Sequence, residues 1–280
     1  MLEQTLAPPT AERLAAFLRT RWLGRAYEWL DACPSTNDRA AERARAGAPA
    51  GLVVAAESQT AGRGRLGRTW HSPPGSNLYL SILLRPVRPP SEIPPLTLLV
   101  GGALAAALAE LGFAPRLKWP NDVEMVDERG RRRKVAGILT EMSTAGDRAA
   151  HVVVGVGLNV NGVDFPPEIA ERATSLRLAG GGPKQLGEAP PLPLDRARVL
   201  AAFLNALEPM LADFEARGPA AAVAAFEAHA GLPAACRVTA PGRPGERLEG
   251  VAVGVDPDGA LRLRDDTGQI HRVISGELFT

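Results

Sequence analysis

Glu57-Ser-Gln-Thr-Ala-Gly-Arg-Gly-Arg-Leu-Gly-Arg-Thr-Trp70 is the stretch on which the fold turns. Its centre, GRGRLG from Gly62 to Gly67, formally matches GxGxxG and follows a short apolar strand candidate, Leu52 to Ala56, so a dinucleotide-binding turn has to be weighed. The context excludes it. That fingerprint needs a helix opening at the last glycine and an acid about 20 positions further on. Here the chain continues Arg68-Thr-Trp-His-Ser-Pro-Pro-Gly-Ser-Asn77 into a strand, and Ile82 to Val87 contains no acid. Arginines alternating with glycines describe instead a loop that wraps an anion. Glycine lets backbone N–H groups approach closely, and Arg63, Arg65 and Arg68 supply forked donors. A solvated basic turn or an RNA-binding RG segment is the plainer alternative on this stretch alone. With few apolar anchors, the loop is expected to be mobile when no ligand is bound.

Working outward, Leu14 to Trp22 has the spacing of an amphipathic helix, and Ser35-Thr36-Asn37 that of a cap for a second helix closing near Gly47. Asn77 to Leu84 reads as a strand with Leu78, Leu80, Ile82 and Leu84 on one face. Thr97 to Leu111 is a nearly all-apolar helix of the kind buried across a sheet. Arg116 to Trp119, Val135 to Met142 and His151 to Val160 are further strands, and together these elements predict an α+β fold with a mixed sheet. Residues 179–194, rich in Gly and Pro, form a loop in which Lys184 is solvated. Asp195 to Arg217 and Pro219 to Ala230 are helical. From Gly231 the pattern changes to short alternating strands separated by PGRPG, DPDG and DDTG, the pattern of a small β-barrel. The expected division is 1–230 and 231–280.

Composition narrows the function. Thirty-two basic against 31 acidic residues leave a net charge of +1, which argues against a surface built for nucleic acid or anionic lipid. No apolar run approaches the roughly 20 residues of a membrane span, and the N-terminus lacks a signal pattern, so a cytoplasmic location and no membrane partner are expected. Cys33 and Cys236 suggest neither disulfide nor zinc. Only three of the basic residues are Lys: Lys118, Lys134 and Lys184. Genomic base composition explains that scarcity but not the placement.

Lys118-Trp-Pro-Asn-Asp122 puts a scarce Lys, an Asn and an Asp on a proline turn at a strand end, where α/β sheets build sites; a structural Asx turn is the alternative. Lys134-Val-Ala-Gly-Ile-Leu-Thr-Glu141 opens a strand with Lys, and Ala136 and Gly137 leave room for a flat ligand. A lysine entering an apolar pocket calls for an anionic partner, although Arg131 to Lys134 can also be read as a solvated basic run. Val152-Val-Val-Gly-Val-Gly-Leu-Asn-Val-Asn161 is a buried strand whose glycines and asparagines suit close approach and amide hydrogen bonding, or mark a bulge.

Taken together and in this order, Ser35-Thr36-Asn37, GRGRLGR, KWPND, KVAGIL and GVGLNVN resemble the biotin protein ligase family over about residues 25 to 280. The resemblance implies a mixed-sheet catalytic domain of the biotin/lipoate ligase type followed by an SH3-like β-barrel. It implies activation of biotin by ATP with Mg2+ to biotinyl-5′-AMP, then transfer to a lysine of a biotin carboxyl carrier protein. By the resemblance Ser35, Thr36, Asn37 and Gln59 face biotin. Gly62, Arg63, Gly64 and Arg65 close over biotin and the adenylate, with Arg65 and Lys134 the catalytic pair and Gly137 beside biotin. Arg68, Trp70, Lys118, Asn121, Asp122, Asn159 and Asn161 serve the nucleotide, and no metal ligands are assigned. A homodimer through the sheet edge is implied as well.

Regulatory members of the family carry an N-terminal helix-turn-helix. Here about 25 residues precede the match, so no DNA binding is expected. A lipoate or octanoate ligase of related fold is the nearest enzymatic alternative, and a ligand- or RNA-binding protein using the RG loop is the alternative of another class. Thirteen scattered aromatics offer no stacking platform for the latter.

Overall fold

The computed structural model describes residues 7–127, 130–180, 192–239 and 247–279. Its frame is a seven-stranded sheet: β1 (Tyr27–Leu30), β2 (Val53–Ala56), β3 (Leu78–Leu84), β4 (Pro115–Lys118), β5 (Asp122–Val126), β6 (Arg132–Ala145) and β7 (Arg148–Leu158). They lie in the order β1-β2-β3-β7-β6-β5-β4. Only β1 and β2 run parallel; every other pair is antiparallel, so the sheet is mixed as the sequence predicts.

Both faces of the sheet centre are covered, which is why β3 is buried at all seven positions. Leu78, Leu80, Ile82 and Leu84 point into the larger core with α3 (Leu96–Glu110) and α4 (Arg196–Arg217), and α5 (Pro219–Ala230) packs on α3. Leu83 and Val153 point the other way, onto Ala40 and Ala44 of α2 (Thr36–Arg45). The all-apolar α3 owes its composition to burial on nearly every side. A second, five-stranded antiparallel sheet comprises β8 (Ala234–Thr239), β9 (Arg247–Val255), β10 (Leu261–Arg264), β11 (Ile270–Val273) and β12 (Glu277–Phe279), ordered β11-β10-β9-β8-β12. Trp119 Nε1 donates to Gly259 O at 2.9 Å, and Val255 N donates to Glu227 Oε1 at 3.1 Å, tying this sheet to the first part of the chain.

Three features differ from the sequence reading. The N-terminal helix is α1 (Ala11–Ala15), not Leu14 to Trp22. Beyond it α4 captures the backbone: Arg19 N donates to Asn205 Oδ1 at 2.7 Å, and Glu208 accepts from the amides of Arg21, Trp22 and Leu23. Those amides are thereby lost to a helix. Ser35 holds the N-cap position of α2 but makes no side-chain cap bond. Strands β1, β5 and β12 carry no clean alternation and are formed by pairing with neighbours distant in sequence or across a tight turn. Most of the 179–194 stretch, Lys184 included, lies outside the described residues.

Candidate active site

Two cavities meet over strands β3, β7, β6 and β5. The smaller, of about 50 Å3, is lined by Ser35, Thr36, Asn37, Gln59, Arg63, Gly64, Arg65, Trp70, Asn121, Lys134 and Gly137, with Gly155 and Gly157 behind. The larger, an open cleft of about 1050 Å3, takes in Arg65, Arg68, Trp70, Lys118, Asn121, Asp122, Lys134 and Asn159. Gly64, Arg65, Trp70, Asn121 and Lys134 belong to both and form the shared wall.

The small cavity has a polar floor. Thr36 and Asn37 are almost completely buried at the start of α2, and Ser81 on β3 is fully so. Ser81 Oγ donates to Asn37 Oδ1 at 2.6 Å and lies 2.7 Å from Thr36 Oγ1. Asn37 Nδ2 donates to Glu141 Oε2 at 2.6 Å. Gln59 Oε1 accepts from Thr36 N at 2.9 Å, and Gln59 Nε2 donates to Ser72 Oγ at 3.1 Å. Buried donors and acceptors so arranged satisfy one another when the cavity is empty and match a compact ligand that carries both N–H and C=O groups. The walls demand glycine: a Cβ on Gly155 would sit 2.2 Å from Asn37 Oδ1, and one on Gly157 2.3 Å from the Trp70 ring. Trp70 thus lies flat across Gly157 and Gly137, with Lys134 Nζ 5.2 Å from its ring centroid, within cation–π reach.

Lys134 Nζ sits 2.6 Å from Asp122 Oδ1 on the neighbouring strand. Its backbone is fixed on the other side, where its N–H donates to Arg172 O and its carbonyl accepts from Thr174 N. Asn159 secures that same segment by donating from Nδ2 to Thr174 O at 3.0 Å, so it lines the cleft while holding its floor.

The glycine-rich loop is better anchored than its composition suggests. Arg63 forks onto Asp38 at 2.6 and 2.7 Å and reaches Glu141 at 3.3 Å. Arg68 forks onto Glu277 of β12, one bond measuring 2.8 Å. Arg65 meets the neutral acceptors Asn121 Oδ1 at 3.2 Å and Gly276 O at 3.5 Å. Hydrogen bonding to Arg63 holds the Asp38 carboxyl below its ordinary range, and Arg68 does the same to Glu277. Burial lowers the pKa of Arg65. The anchors are ionic, not apolar: the loop's arginines use acids from α2, β6 and β12, none of them near in sequence.

Two other expected site residues lie away from the cavities. Asn161 spends its carboxamide on Leu194, accepting from its N at 2.8 Å and donating to its O at 2.9 Å, which makes it a clamp between β7 and the start of α4 rather than a cleft residue. Gly62 lies under the loop: its carbonyl accepts from Trp70 N at 2.9 Å, and a Cβ there would stand 2.7 Å from Trp70 O. The remaining expected residues converge on the two cavities. Sequence reasoning missed Asp38, Glu141, Glu124, Gly276 and Glu277.

Comparison with known proteins gives the family. The model described as the biotin/lipoate A/B protein ligase family matches residues 29–159, and that of the biotin protein ligase C-terminal domain matches 237–279. The biotin–[acetyl-CoA-carboxylase] ligase of Mycobacterium tuberculosis is 34% identical over 284 residues, covering 98% of this chain and 96% of that protein. The chain belongs to the biotin protein ligase family. The bifunctional ligase/repressor BirA of Bacillus subtilis is 35% identical over 93% of this chain, which spans 76% of that relative. Among solved structures, the biotin protein ligase from Aquifex aeolicus in complex with biotin and ATP superposes with a TM-score of 0.71 at 30% identity, covering 91% of this chain and 98% of that one. A mixed seven-stranded sheet with helices, followed by a five-stranded antiparallel sheet, is the fold of such a ligase.

Proposed function

We propose that this ligase seats biotin in the small cavity and ATP in the cleft, joins them as biotinyl-5′-AMP, and passes the biotinyl group to a lysine of a carrier protein. The observation that carries the reading is the shared wall: Lys134 and Arg65 border both cavities, so a carboxylate entering from one and an α-phosphate entering from the other meet beside two cations. Attack of one anion on another is slow until both are neutralised, and a preorganised cation does so without reorganisation at the moment of reaction. A carboxylate oxygen attacks the α-phosphorus and pyrophosphate leaves. The acceptor amine then attacks the acyl carbon, the bond to AMP breaks, and the amine proton is given up, with Asp122, which lines the cleft beside Lys134, as its proposed acceptor. The nucleotide is further served by Arg68, Lys118, Asn121 and Trp70.

No group of three or more metal-ligating side chains exists among the described residues, so the donor set suits a magnesium ion held mainly by the nucleotide, with Asp122 as the protein's contribution. When bound, that ion would supply charge neutralisation on the leaving pyrophosphate. The polar floor of Thr36, Asn37, Gln59 and Ser81 favours the ureido ring of biotin over the dithiolane of lipoate, which has no N–H or C=O to offer. Near-neutral net charge supports an enzyme that binds no nucleic acid, and the edge strands β1 and β4 are the proposed seat of self-association. Biotin-dependent release of pyrophosphate from labelled ATP, followed by label transfer from biotin to a carrier domain, tests the reading. Release driven by lipoate and not by biotin would overturn it.

A further inference from the structure

The chain holds three lysines, and two of them stand beside one strand. In register, Asp122 of β5 faces Lys118 of β4, and Glu124 of β5 faces Lys134 of β6. The ion pairs cross this register: Lys134 Nζ goes to Asp122 at 2.6 Å, and Lys118 Nζ goes to Glu124 Oε1 at 3.5 Å. All four residues line the cleft. Arg68 beside them is likewise held by Glu277. Three of the cations on which a polyphosphate would settle are thus each paired with an internal carboxylate.

Glu124 is the odd member. It is 6% exposed, and its second oxygen, Oε2, is buried without a hydrogen-bond partner. The ion pair to Lys118 is long, and among the described residues no hydrogen bond to Oε2 repays its loss of water. A poorly stabilised anion on a needed cation is readily displaced by a better one.

We infer that Glu124 is a positioning residue for the nucleotide, an internal stand-in for phosphate that holds Lys118 in the cleft until the polyphosphate displaces it. The inference rests on the reading of the cleft as the ATP site. Glu124 compensates Lys118 when the cleft is empty, so the lysine keeps its place without a bound anion, and it opposes ATP and pyrophosphate by competing for that lysine. The carboxylate therefore weakens anion binding and favours departure of pyrophosphate once formed.

Calorimetric titration of ATP and of inorganic pyrophosphate, with EDTA and with Mg2+, into the full chain tests this, with biotin titrated as a control. Glu124→Gln should bind ATP at least about fivefold tighter in EDTA and leave the biotin Kd within about twofold. Lys118→Met should weaken ATP, and in that background Glu124→Gln should lose most of its gain, a coupling that loss of packing alone would not produce. Glu124→Met, of similar length and uncharged, repeats the test should the Gln variant fold poorly, and unit stoichiometry with biotin certifies folded protein. Unchanged or weaker ATP binding in EDTA overturns the inference. So does a loss seen only with Mg2+, which would make Glu124 a metal ligand. Absence of both biotin and ATP binding in the wild-type chain would instead remove the functional reading on which it rests.

Discussion

Gly157→Ala is the sharpest probe of the wall between the cavities. The added Cβ would stand 2.3 Å from Trp70 Cε2 and 2.4 Å from Nε1, whereas ordinary contact begins near 3.4 Å, so the ring has to withdraw from the β7 ledge. Withdrawal of about 1 Å is required, and the wall that aligns carboxylate and α-phosphate moves with it; a misplacement of that size costs on the order of 10²-fold in rate. Folding should suffer less. Overpacking costs about 1–3 kcal/mol, and the Trp70 side chain is half-buried, not enclosed, which puts the cost near the lower end, or a Tm drop of about 2–4 °C. Biotin-dependent pyrophosphate release and calorimetric melting measure the two effects separately. The clash also has one named partner, so Trp70→Ala should abolish the penalty: adding Gly157→Ala to that background should change the rate by less than about twofold. An undiminished effect of Gly157→Ala in the Trp70→Ala protein, or a single mutant within threefold of wild type, would refute the assignment of Trp70 to the shared wall.

Lys134→Ala should lower adenylate formation by at least 10²–10³-fold, while a partly exposed ion pair contributes less than about 1 kcal/mol to folding; pyrophosphate release near the wild-type rate would count against it, and Lys134→Arg should also be poor because the larger planar head does not fit the same point. Arg196, 1% exposed, forks onto Glu57 at 2.7 and 3.1 Å, and Arg196→Met should destabilise by about 3–5 kcal/mol in chemical denaturation by leaving that carboxylate uncompensated. Glu277→Gln should speed trypsin cleavage after Arg68 several-fold in the ligand-free protein, located by mass spectrometry. The same cleavage in the wild type, normalised to an unfolded control, should be flat from pH 6 to 8.5. Asp38 and Glu277 have depressed values when folded, so their clasps are complete above ordinary carboxylate values and fail only as pH falls through the depressed ones; a rise toward pH 6 would contradict this.

The site was legible in the sequence where a local motif carries the geometry, and illegible where partners come from afar. GRGRLGR, KWPND and KVAGIL each encode a turn or strand start whose side chains the sheet order then brings together, so Arg65, Asn121, Asp122 and Lys134 could be named from their neighbours alone. Nothing local marks Glu277 as the partner of Arg68 across 209 positions, or Asp38 as that of Arg63 across 25. The loop's composition is silent for the same reason, since glycine content reports the entropy of ordering but not the distant acids that bear on it. Asn161 shows the opposite: an asparagine in a motif lends itself to a ligand role, but here it exchanges one hydrogen bond in each direction with the backbone of Leu194, a partner no local signal marks. The fold shows the same division. α3 announced itself by unbroken apolarity, whereas the first helix ended early because Asn205 and Glu208, some 186 positions on, claim the amides it would have needed.

These distant partners have a common consequence for catalysis. Arg63, Arg68, Lys118 and Lys134 are each matched by an acid belonging to the protein, which holds these cations in place. Arg65 differs, holding only neutral acceptors at the wall where the reacting groups would meet. An incoming carboxylate therefore finds one guanidinium that it can take without displacing an internal anion, and the phosphates must compete for the rest. Such an arrangement favours assembly of both substrates at Arg65 before the outer clasps are exchanged, and it limits how tightly pyrophosphate can be retained once the bond to the α-phosphorus has broken.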